Sequence, residues 1–148
     1  MKITRSLKAG AALAAVVGSL GAGAALAPAE AVAGCATGYT CLWDDTDYKT
    51  NDTSNAYRFQ LYQAHMGSVK FAGTNITVGD HASSVFNQGT GGEYSYLFKD
   101  ASCQGSSFRV AAGTGDRNLN NGTPAGDFND KISSGAYSSQ LGRCRETP

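Results

Sequence analysis

The chain has few of the residues from which enzyme active sites are built. It contains two histidines, His65 and His81, neither in the H-E-x-x-H spacing of zinc peptidases, and it has no G-x-S-x-G nucleophile motif. The carboxylates of Asp44 and Asp45 are adjacent in sequence and are expected to point in different directions, which does not suit a glycosidase pair. We therefore predict that the protein is not an enzyme. Both histidines are expected to be turn or loop residues.

Helical periodicity, basic clusters and long apolar runs are also absent after residue 33. No segment keeps a helical apolar period for three turns, and none reaches membrane-spanning length. The leader holds three of the twelve Lys and Arg and one of the twelve Asp and Glu, so the rest of the chain has a net charge of −2. Without a basic patch there is no reason to expect a nucleic-acid partner, or a membrane partner after the leader is removed. The expected state is a monomer.

The first 33 residues are predicted to be a secretory signal peptide. Lys2, Arg5 and Lys8 precede a run rich in Ala, Gly, Val and Leu, and small residues follow that run. Cleavage after Ala31 and cleavage after Ala33 both satisfy the small-x-small rule. An uncleaved membrane anchor is the alternative, which the glycines within the apolar run disfavour. The prediction is a secreted, extracellular protein with one domain over residues 34–148.

All four cysteines follow the leader, an arrangement typical of disulfide bonds. They are Cys35, Cys41, Cys103 and Cys144. Three pairings are possible for four cysteines, and we favour Cys35–Cys41 with Cys103–Cys144 because the first pair closes a short loop. A zinc site is disfavoured because no C-x-x-C spacing is present. Trp43, two residues after Cys41, is expected to be buried.

Short strand-like segments recur along the rest of the chain between Gly-rich turns. They lie at residues 40–43, 57–61, 69–71, 76–78, 84–87, 94–98, 107–111 and 132–137. Tyr94, Tyr96 and Phe98 are expected on one face of their strand. Residues 49–55 and 113–126 are expected to be surface loops. About eight short strands predict an all-β sandwich of antiparallel sheets.

A five-residue pattern occurs twice, fifty residues apart. Its copies are Asp80-His81-Ala82-Ser83-Ser84 and Asp130-Lys131-Ile132-Ser133-Ser134. Internal repetition indicates two copies of one β motif, at about residues 39–89 and 93–140. The carboxylate and hydroxyl oxygens of the pattern suit a hard cation such as calcium. The alternative is that these side chains only cap a local turn.

The repeats resemble the βγ-crystallin double Greek key. Each opens with an aromatic residue and a turn, as Trp43-x4-Tyr48 and as Phe98-x4-Cys103-x-Gly105. Calcium-binding members of that fold carry (Asn/Asp)-(Asn/Asp)-x-x-(Ser/Thr)-Ser. Residues 129–134 match it fully, whereas the first copy has Gly79 at its first position and its hairpin has Thr50 in place of Gly. The resemblance implies a calcium cofactor. The implied ligands are Asn129, Asp130 and Ser133 of the second repeat and Asp80 and Ser83 of the first.

A narrower resemblance is carried by Cys-x5-Cys, Leu42-Trp43-x-Asp45 and Asp-x-x-Ser-Ser-Val. These motifs are similar to a family of small secreted actinobacterial peptidase inhibitors that includes the Streptomyces metalloproteinase inhibitor. The resemblance spans most of residues 35–138. It implies a secreted protease of the metalloproteinase class as partner, blocked by a preorganised loop that occludes its active site. Residues 49–55 and residues 113–126 are the two candidates for the inhibitory loop, and the sequence does not distinguish them.

Two other roles stay open for a secreted scaffold of this kind. The first is an extracellular calcium-binding module with a structural or stress-related role and no inhibitory activity. The second is an antimicrobial or morphogenetic role, for which the sequence has no supporting motif.

Overall fold

The computed structural model describes residues 32–122 and 127–148. Nearly all of the predicted signal peptide lies outside the described residues, as do residues 123–126 of the second predicted loop. Within the described part of the chain, no helix is both long and apolar enough to cross a membrane.

In the described residues, eight strands form two four-stranded antiparallel sheets, as the all-β prediction requires. The strands are β1 (Thr40–Trp43), β2 (Tyr57–Phe59), β3 (Tyr62–Gln63), β4 (Ser84–Asn87), β5 (Ser95–Asp100), β6 (Gln104–Val110), β7 (Thr114–Asp116) and β8 (Ser134–Tyr137). The first sheet has the order β2-β1-β4-β7, and the second has the order β3-β8-β5-β6.

Each sheet contains one strand from the other half of the sequence. Strand β3 leaves the first half and pairs with β8, where Tyr62 lies opposite Ala136. Strand β7 leaves the second half and pairs with β4, where Gly115 lies opposite Phe86. This exchange produces two interlocked Greek keys, so the two repeats fold as one unit.

The main core lies between the two sheets. It is built from Leu42, Phe59, Met66, Phe71, Val78, Ala82, Val85, Leu97, Phe108, Val110, Leu119, Phe128 and Ile132. Strand side chains alternate between faces, so Leu42 enters this core while Cys41 and Trp43 face the other side of their sheet. Strand β1 is buried on both faces as a result.

A small cluster with a disulfide covers the outer face of each sheet. The first comprises Cys35, Cys41, Trp43, Ala56 and Phe86. The second comprises Ala64, Phe98, Cys103, Ala136 and Cys144. The disulfides are Cys35–Cys41 and Cys103–Cys144, the pairing that the sequence analysis favoured. Trp43 is completely buried, as predicted.

The structure corrects two of the predicted strands. Residues 69–71 and 76–78 lie in neither sheet. They form a separate hairpin in which Lys70 and Thr77 make a single bridge and the N–H of Phe71 donates to the carbonyl of Ile76. This hairpin is nevertheless packed on the main core, because Phe71 and Val78 are buried there. The apolar residues of both segments are therefore explained by their burial in the core and do not indicate that the segments pair in a sheet.

The predicted loop at residues 113–126 also needs correction, because it begins with β7. Only Thr114 in its Thr-Gly-Asp sequence favours a strand, and pairing with β4 imposes the extended conformation on the other two residues. A Cβ on Gly115 would lie 2.4 Å from the carbonyl oxygen of Val85 and 2.7 Å from the hydroxyl of Tyr48. Glycine is therefore needed for this close approach.

The chain ends in a short helix that the sequence did not predict, α1 (Leu141–Arg145). It packs on the outer face of the second sheet through Cys144 and Leu141. Tyr96 and Phe98 face this helix, whereas Leu97 enters the main core. A helix of five residues is too short to be stable alone. It is held by the disulfide and by this contact surface.

Candidate functional site

The last serine of each repeated pattern has a structural role. The hydroxyl of Ser84 donates to the carbonyl of Asp45 (2.7 Å) and accepts from the N–H of Tyr48 (3.2 Å). The hydroxyl of Ser134 makes the equivalent bonds to the carbonyl of Asp100 (2.6 Å) and the N–H of Cys103 (2.9 Å). Both serines are completely buried. Each therefore closes the folded hairpin at the start of its own repeat.

We expect Ser134→Ala to lower the free energy of unfolding by about 2–3 kcal/mol. The substitution removes the partner of the buried N–H of Cys103 and one partner of the partly buried carbonyl of Asp100, and the desolvation of the buried N–H is not recovered. Ser133→Ala is the matched control, since it removes one partly exposed hydroxyl and should cost less than about 1 kcal/mol. Urea unfolding of both variants measures the difference. Equal losses would contradict the structural role of Ser134.

The two repeated patterns pack against each other. The N–H of Asp80 donates to the carbonyl of Ile132, and the N–H of Asp130 donates to the carbonyl of Ala82, both at 3.1 Å. Asp80 and Asp130 both have positive φ, 59° and 54°. Aspartate tolerates this conformation better than most residues. The reciprocal bonds bring side chains of opposite repeats together.

The first candidate cation site, the Asp80 cleft, joins Asp80 of the first repeat to Ser133 of the second. The hydroxyl of Ser133 donates to the carboxylate of Asp80 at 3.1 Å. The cleft has a volume of about 550 Å³ and is lined by His65, Gly67, Ser68, Asp80, Lys99, Asp100, Ala101 and Ser133. Sequence reasoning grouped Asp80 with Ser83 of its own repeat. Nothing in the repetition itself indicates which copies face each other.

The second candidate cation site, the Asp130 cleft, is its counterpart. By the correspondence of the two repeats, Asp130 and Ser83 are equivalent to Asp80 and Ser133, and Asp44 is equivalent to Lys99. Burial raises the pKa of Asp44, the charges of Asp45 and Asp130 raise it further, and His81 opposes the rise. The Asp130 cleft is therefore the more anionic of the two.

Side chains alone do not complete a metal site in either cleft. Over residues 32–122 and 127–148, no three His, Cys, Asp or Glu side chains are close enough to share an ion. The amide of Asn129 donates to the carboxylate of Asp130 at 2.6 Å, which orients the carboxylate. A calcium ion would need backbone carbonyls and water in addition to Asp130, as calcium sites commonly use.

Both histidines lie at turns. The Nδ1 atom of His81, an exposed residue, is 2.9 Å from the carbonyl of Gly79. His65 precedes the 3-10 turn Met66–Ser68, and its Nε2 atom is 2.7 Å from a backbone oxygen of Pro148. A ring nitrogen of each histidine therefore lies within hydrogen-bond distance of a backbone oxygen.

Residues 49–55 form a tight hairpin, here called the 50–53 hairpin. Thr50 and Thr53 exchange two backbone hydrogen bonds of 2.8 and 3.0 Å. Asn51 and Asp52 between them have φ values of 48° and 58°. Positive φ at both central residues is the signature of a type I′ turn, the favoured two-residue hairpin connection. The tip is exposed, whereas Thr50 at its base is completely buried.

Side chains of the fold hold the 50–53 hairpin in place. The carboxylate of Asp45 accepts from the N–H of Asn51 at 2.9 Å. The indole N–H of Trp43 donates to the carbonyl of Ser54 at 3.2 Å. Beside the hairpin lies a cavity of about 430 Å³, lined by Val32, Ala33, Asp47, Tyr48, Lys49, Asp52, Thr53, Ser54 and Arg117. The hairpin is thus a rigid, exposed element with an open cavity at its side.

The second predicted loop is tied down over its described part. Leu119 is completely buried, and its N–H donates to the carbonyl of Ser83 at 2.9 Å. Asp116 is also buried. Asp116 and Leu119 therefore anchor the described part of this loop to the core, whereas residues 120–122 are exposed.

Comparison with known proteins identifies the family. The sequence pattern of the family described as peptidase inhibitor family I36 matches residues 28–110, more than half of the chain. The chain belongs to this family. No curated protein matches the chain. Membership in an inhibitor family, with a crystallin-like fold, confirms that the protein is not an enzyme.

Solved structures identify the fold of this I36 protein. One reported as "Evolution of the eye lens beta-gamma-crystallin domain fold" has a TM-score of 0.54 and 20% identity, over 70% of this chain and 88% of its own. A βγ-crystallin from Ciona intestinalis has a TM-score of 0.49 and 17% identity, over 68% and 99% of the two chains. An archaeal βγ-crystallin has a TM-score of 0.47 and 14% identity, over 69% and 99%. The structure with the TM-score of 0.54 confirms the predicted βγ-crystallin-like sandwich.

Proposed function

We propose that this protein is a secreted inhibitor of a metalloproteinase and that the 50–53 hairpin occupies the active-site cleft of its target. The observation that supports an inhibitory role is membership in peptidase inhibitor family I36. The hairpin supplies the kind of element that inhibition by occlusion requires.

Rigidity is the physical reason to choose this hairpin. A loop that is already fixed loses little conformational entropy on binding, so more of its contact energy appears as affinity. The buried Thr50 and the bond from Trp43 to Ser54 fix the base of the hairpin. The exposed tip, Asn51 and Asp52, is left to enter a cleft. The described part of the other candidate loop is anchored instead by the buried Asp116 and Leu119.

The carboxylate of Asp52 is the reason to favour a metalloproteinase. Catalytic zinc sites keep one coordination position open, and carboxylate oxygens are zinc ligands. Asp52 lies at the tip of the hairpin and is exposed. A carboxylate held there would reach the open zinc position when the hairpin enters the cleft.

A panel of proteases tests the proposed target class. The purified protein is titrated against a thermolysin-type metalloproteinase, a serine protease and a papain-type cysteine protease. We expect only the metalloproteinase to lose activity, at close to one inhibitor per enzyme. Inhibition of the serine or cysteine protease alone would overturn the target class and keep the inhibitory role. Full activity of every enzyme at large excess would overturn both.

Asp52→Asn is expected to weaken inhibition of the metalloproteinase by at least about 30-fold. That factor corresponds to about 2 kcal/mol, the scale for losing one charged contact in a desolvated interface. Asparagine accepts positive φ, so the hairpin should keep its shape. Glu146→Gln removes another exposed carboxylate, beside α1, and is the control. Equal loss of inhibition in both variants, or no loss in either, would contradict a contact between Asp52 and the metalloproteinase.

Calcium binding is the second candidate function, and the Asp130 cleft favours it. The charges of Asp45 and Asp130 raise the pKa of Asp44 beyond the rise due to burial, so the carboxylates repel one another. A calcium ion in the cleft would relieve this repulsion. In the Asp80 cleft, Lys99 already supplies a positive charge where the Asp130 cleft has Asp44.

Calcium at 1 mM is expected to raise the free energy of unfolding by about 1.4 kcal/mol. This value follows from a dissociation constant of about 0.1 mM, typical of extracellular calcium modules. Asp130→Asn should abolish the gain, and Asp80→Asn should leave most of it. Melting curves with calcium and with chelator measure both. Acidification should weaken the effect, because Asp44 has a raised pKa and its protonation removes a negative charge. An unchanged melting temperature in chelator would argue against a site in the Asp130 cleft.

A further inference from the structure

One carboxylate oxygen of Asp116, at the end of β7, is buried without a hydrogen-bond partner. Asp116 is 5% exposed, and its Oδ2 atom accepts no hydrogen bond. Its Oδ1 atom, in contrast, accepts from the N–H of Asn118 at 2.9 Å and from the amide of Asn121 at 3.3 Å. A buried carboxylate oxygen is costly unless a donor or a cation compensates it. Such an unsatisfied group calls for a bound water or ion.

The residues that follow Asp116 place further oxygens at alternate positions. Asn118 and Asn120 complete an Asp-x-Asn-x-Asn series. In calcium-binding loops of the EF-hand type, positions 1, 3 and 5 supply side-chain oxygens in this spacing. Asn118 is partly exposed and Asn120 is exposed. The side-chain oxygen of Asn118 accepts from the N–H of Asn120 at 3.0 Å, and its second lone pair is left for an ion. The spacing and the unsatisfied oxygen are separate observations, one in sequence and one in packing.

We propose that Asp116 Oδ2, together with the side-chain oxygens of Asn118 and Asn120, binds a calcium ion. One oxygen of Asp116 is held by N–H donors, and the other is left for the ion. Water completes the coordination, as is usual for calcium in an exposed loop. A single carboxylate with two neutral amides gives a weak site, with a dissociation constant of about 0.1–1 mM.

This site differs from the two clefts in its residues. Its carboxylate comes from β7, whereas the clefts use Asp80 and Asp130 of the repeated patterns. The bond from Leu119 to the carbonyl of Ser83 places the loop next to the Asp130 cleft. An ion at Asp116 would therefore fix the loop that borders this cleft, and its binding can be measured after Asp80 and Asp130 are replaced.

A terbium titration of the protein carrying Asp80→Asn and Asp130→Asn tests the proposal. Terbium substitutes for calcium and is sensitised by nearby aromatic side chains. We expect one saturable terbium site, displaced by millimolar calcium. Addition of Asn118→Ala and Asn120→Ala should weaken the site at least tenfold, whereas Asn75→Ala, in the exposed turn of the separate hairpin at residues 69–78, should not change it. Absence of a saturable site, or a site that the Asn118 and Asn120 changes leave intact, would overturn the proposal.

A second measurement does not depend on the folding of the cleft variant. In the otherwise unchanged chain, the Asn118→Ala and Asn120→Ala pair should reduce the number of calcium ions bound at saturation by one, with an unchanged far-UV circular dichroism spectrum. If this double variant keeps the native spectrum and binds as many calcium ions as the unmodified protein, the site at Asp116 is contradicted.

Discussion

Removal of the Cys103–Cys144 disulfide is expected to lower the free energy of unfolding by about 4 kcal/mol. The bond joins cysteines 41 residues apart and encloses β6, β7 and β8. On the chain-entropy model, a crosslink over such a distance strongly restricts the unfolded chain. It also holds α1 against the outer face of the second sheet. The double variant Cys103→Ala/Cys144→Ala should therefore melt roughly 15 °C lower.

The Cys35–Cys41 disulfide is the matched control for this prediction. It closes a separation of only six residues, so its loss should cost about 2 kcal/mol. Urea unfolding followed by circular dichroism compares the two double variants with the unmodified protein. A greater loss for the Cys35–Cys41 pair would contradict the loop-length argument.

Trp43→Ala is expected to cost about 3–5 kcal/mol, the usual loss for a large aromatic side chain removed from a core. Trp43 is completely buried, and its ring centroid lies 5.1 Å from that of Tyr48. Its indole N–H also fixes Ser54 at the base of the 50–53 hairpin. The substitution therefore removes both packing and the support of the proposed inhibitory element. Thermal melting and urea unfolding measure the loss of stability.

Trp43→Phe separates these two effects. Phenylalanine keeps most of the apolar contact and loses the bond to Ser54, so its stability cost should be smaller, at about 1–2 kcal/mol. We expect its inhibitory potency to fall at a temperature where it remains folded. A Trp43→Ala variant that unfolds within 1 kcal/mol of the unmodified protein would show that the first outer cluster contributes little.

The disulfides, the burial of Trp43 and the all-β class could be predicted from the sequence because each depends on local residues. Cysteine spacing favoured a short and a long loop, and short apolar segments indicated strands. Strands β3 and β7 could not be predicted in this way. Strand β3 has two residues, and β7 contains Gly115 because a neighbouring strand lies too close for a side chain. Tertiary pairing, not intrinsic preference, makes both of them strands.

The sequence indicated which residues to consider for the candidate cation sites, but not which of them lie next to each other in the fold. The repeated patterns identified Asp80, Asp130 and the serines, yet both patterns contain the same residue types. Only the fold shows that Asp80 meets Ser133 and that Ser134 closes a hairpin instead. The sequence also did not distinguish the two candidate loops. The turn at Asn51 and Asp52 lacks the glycine that usually marks a type I′ turn, so its rigidity becomes visible only in the backbone angles.

A competition experiment tests the central proposal, occlusion of a metalloproteinase active site, most directly. Inhibition of a thermolysin-type enzyme by this protein is measured at increasing concentrations of a small hydroxamate that binds the catalytic zinc. We predict mutually exclusive binding, so the apparent inhibition constant of the protein should rise in proportion to the hydroxamate concentration. An inhibition constant that does not change, with both inhibitors bound to one enzyme, would contradict entry of the 50–53 hairpin into the active site.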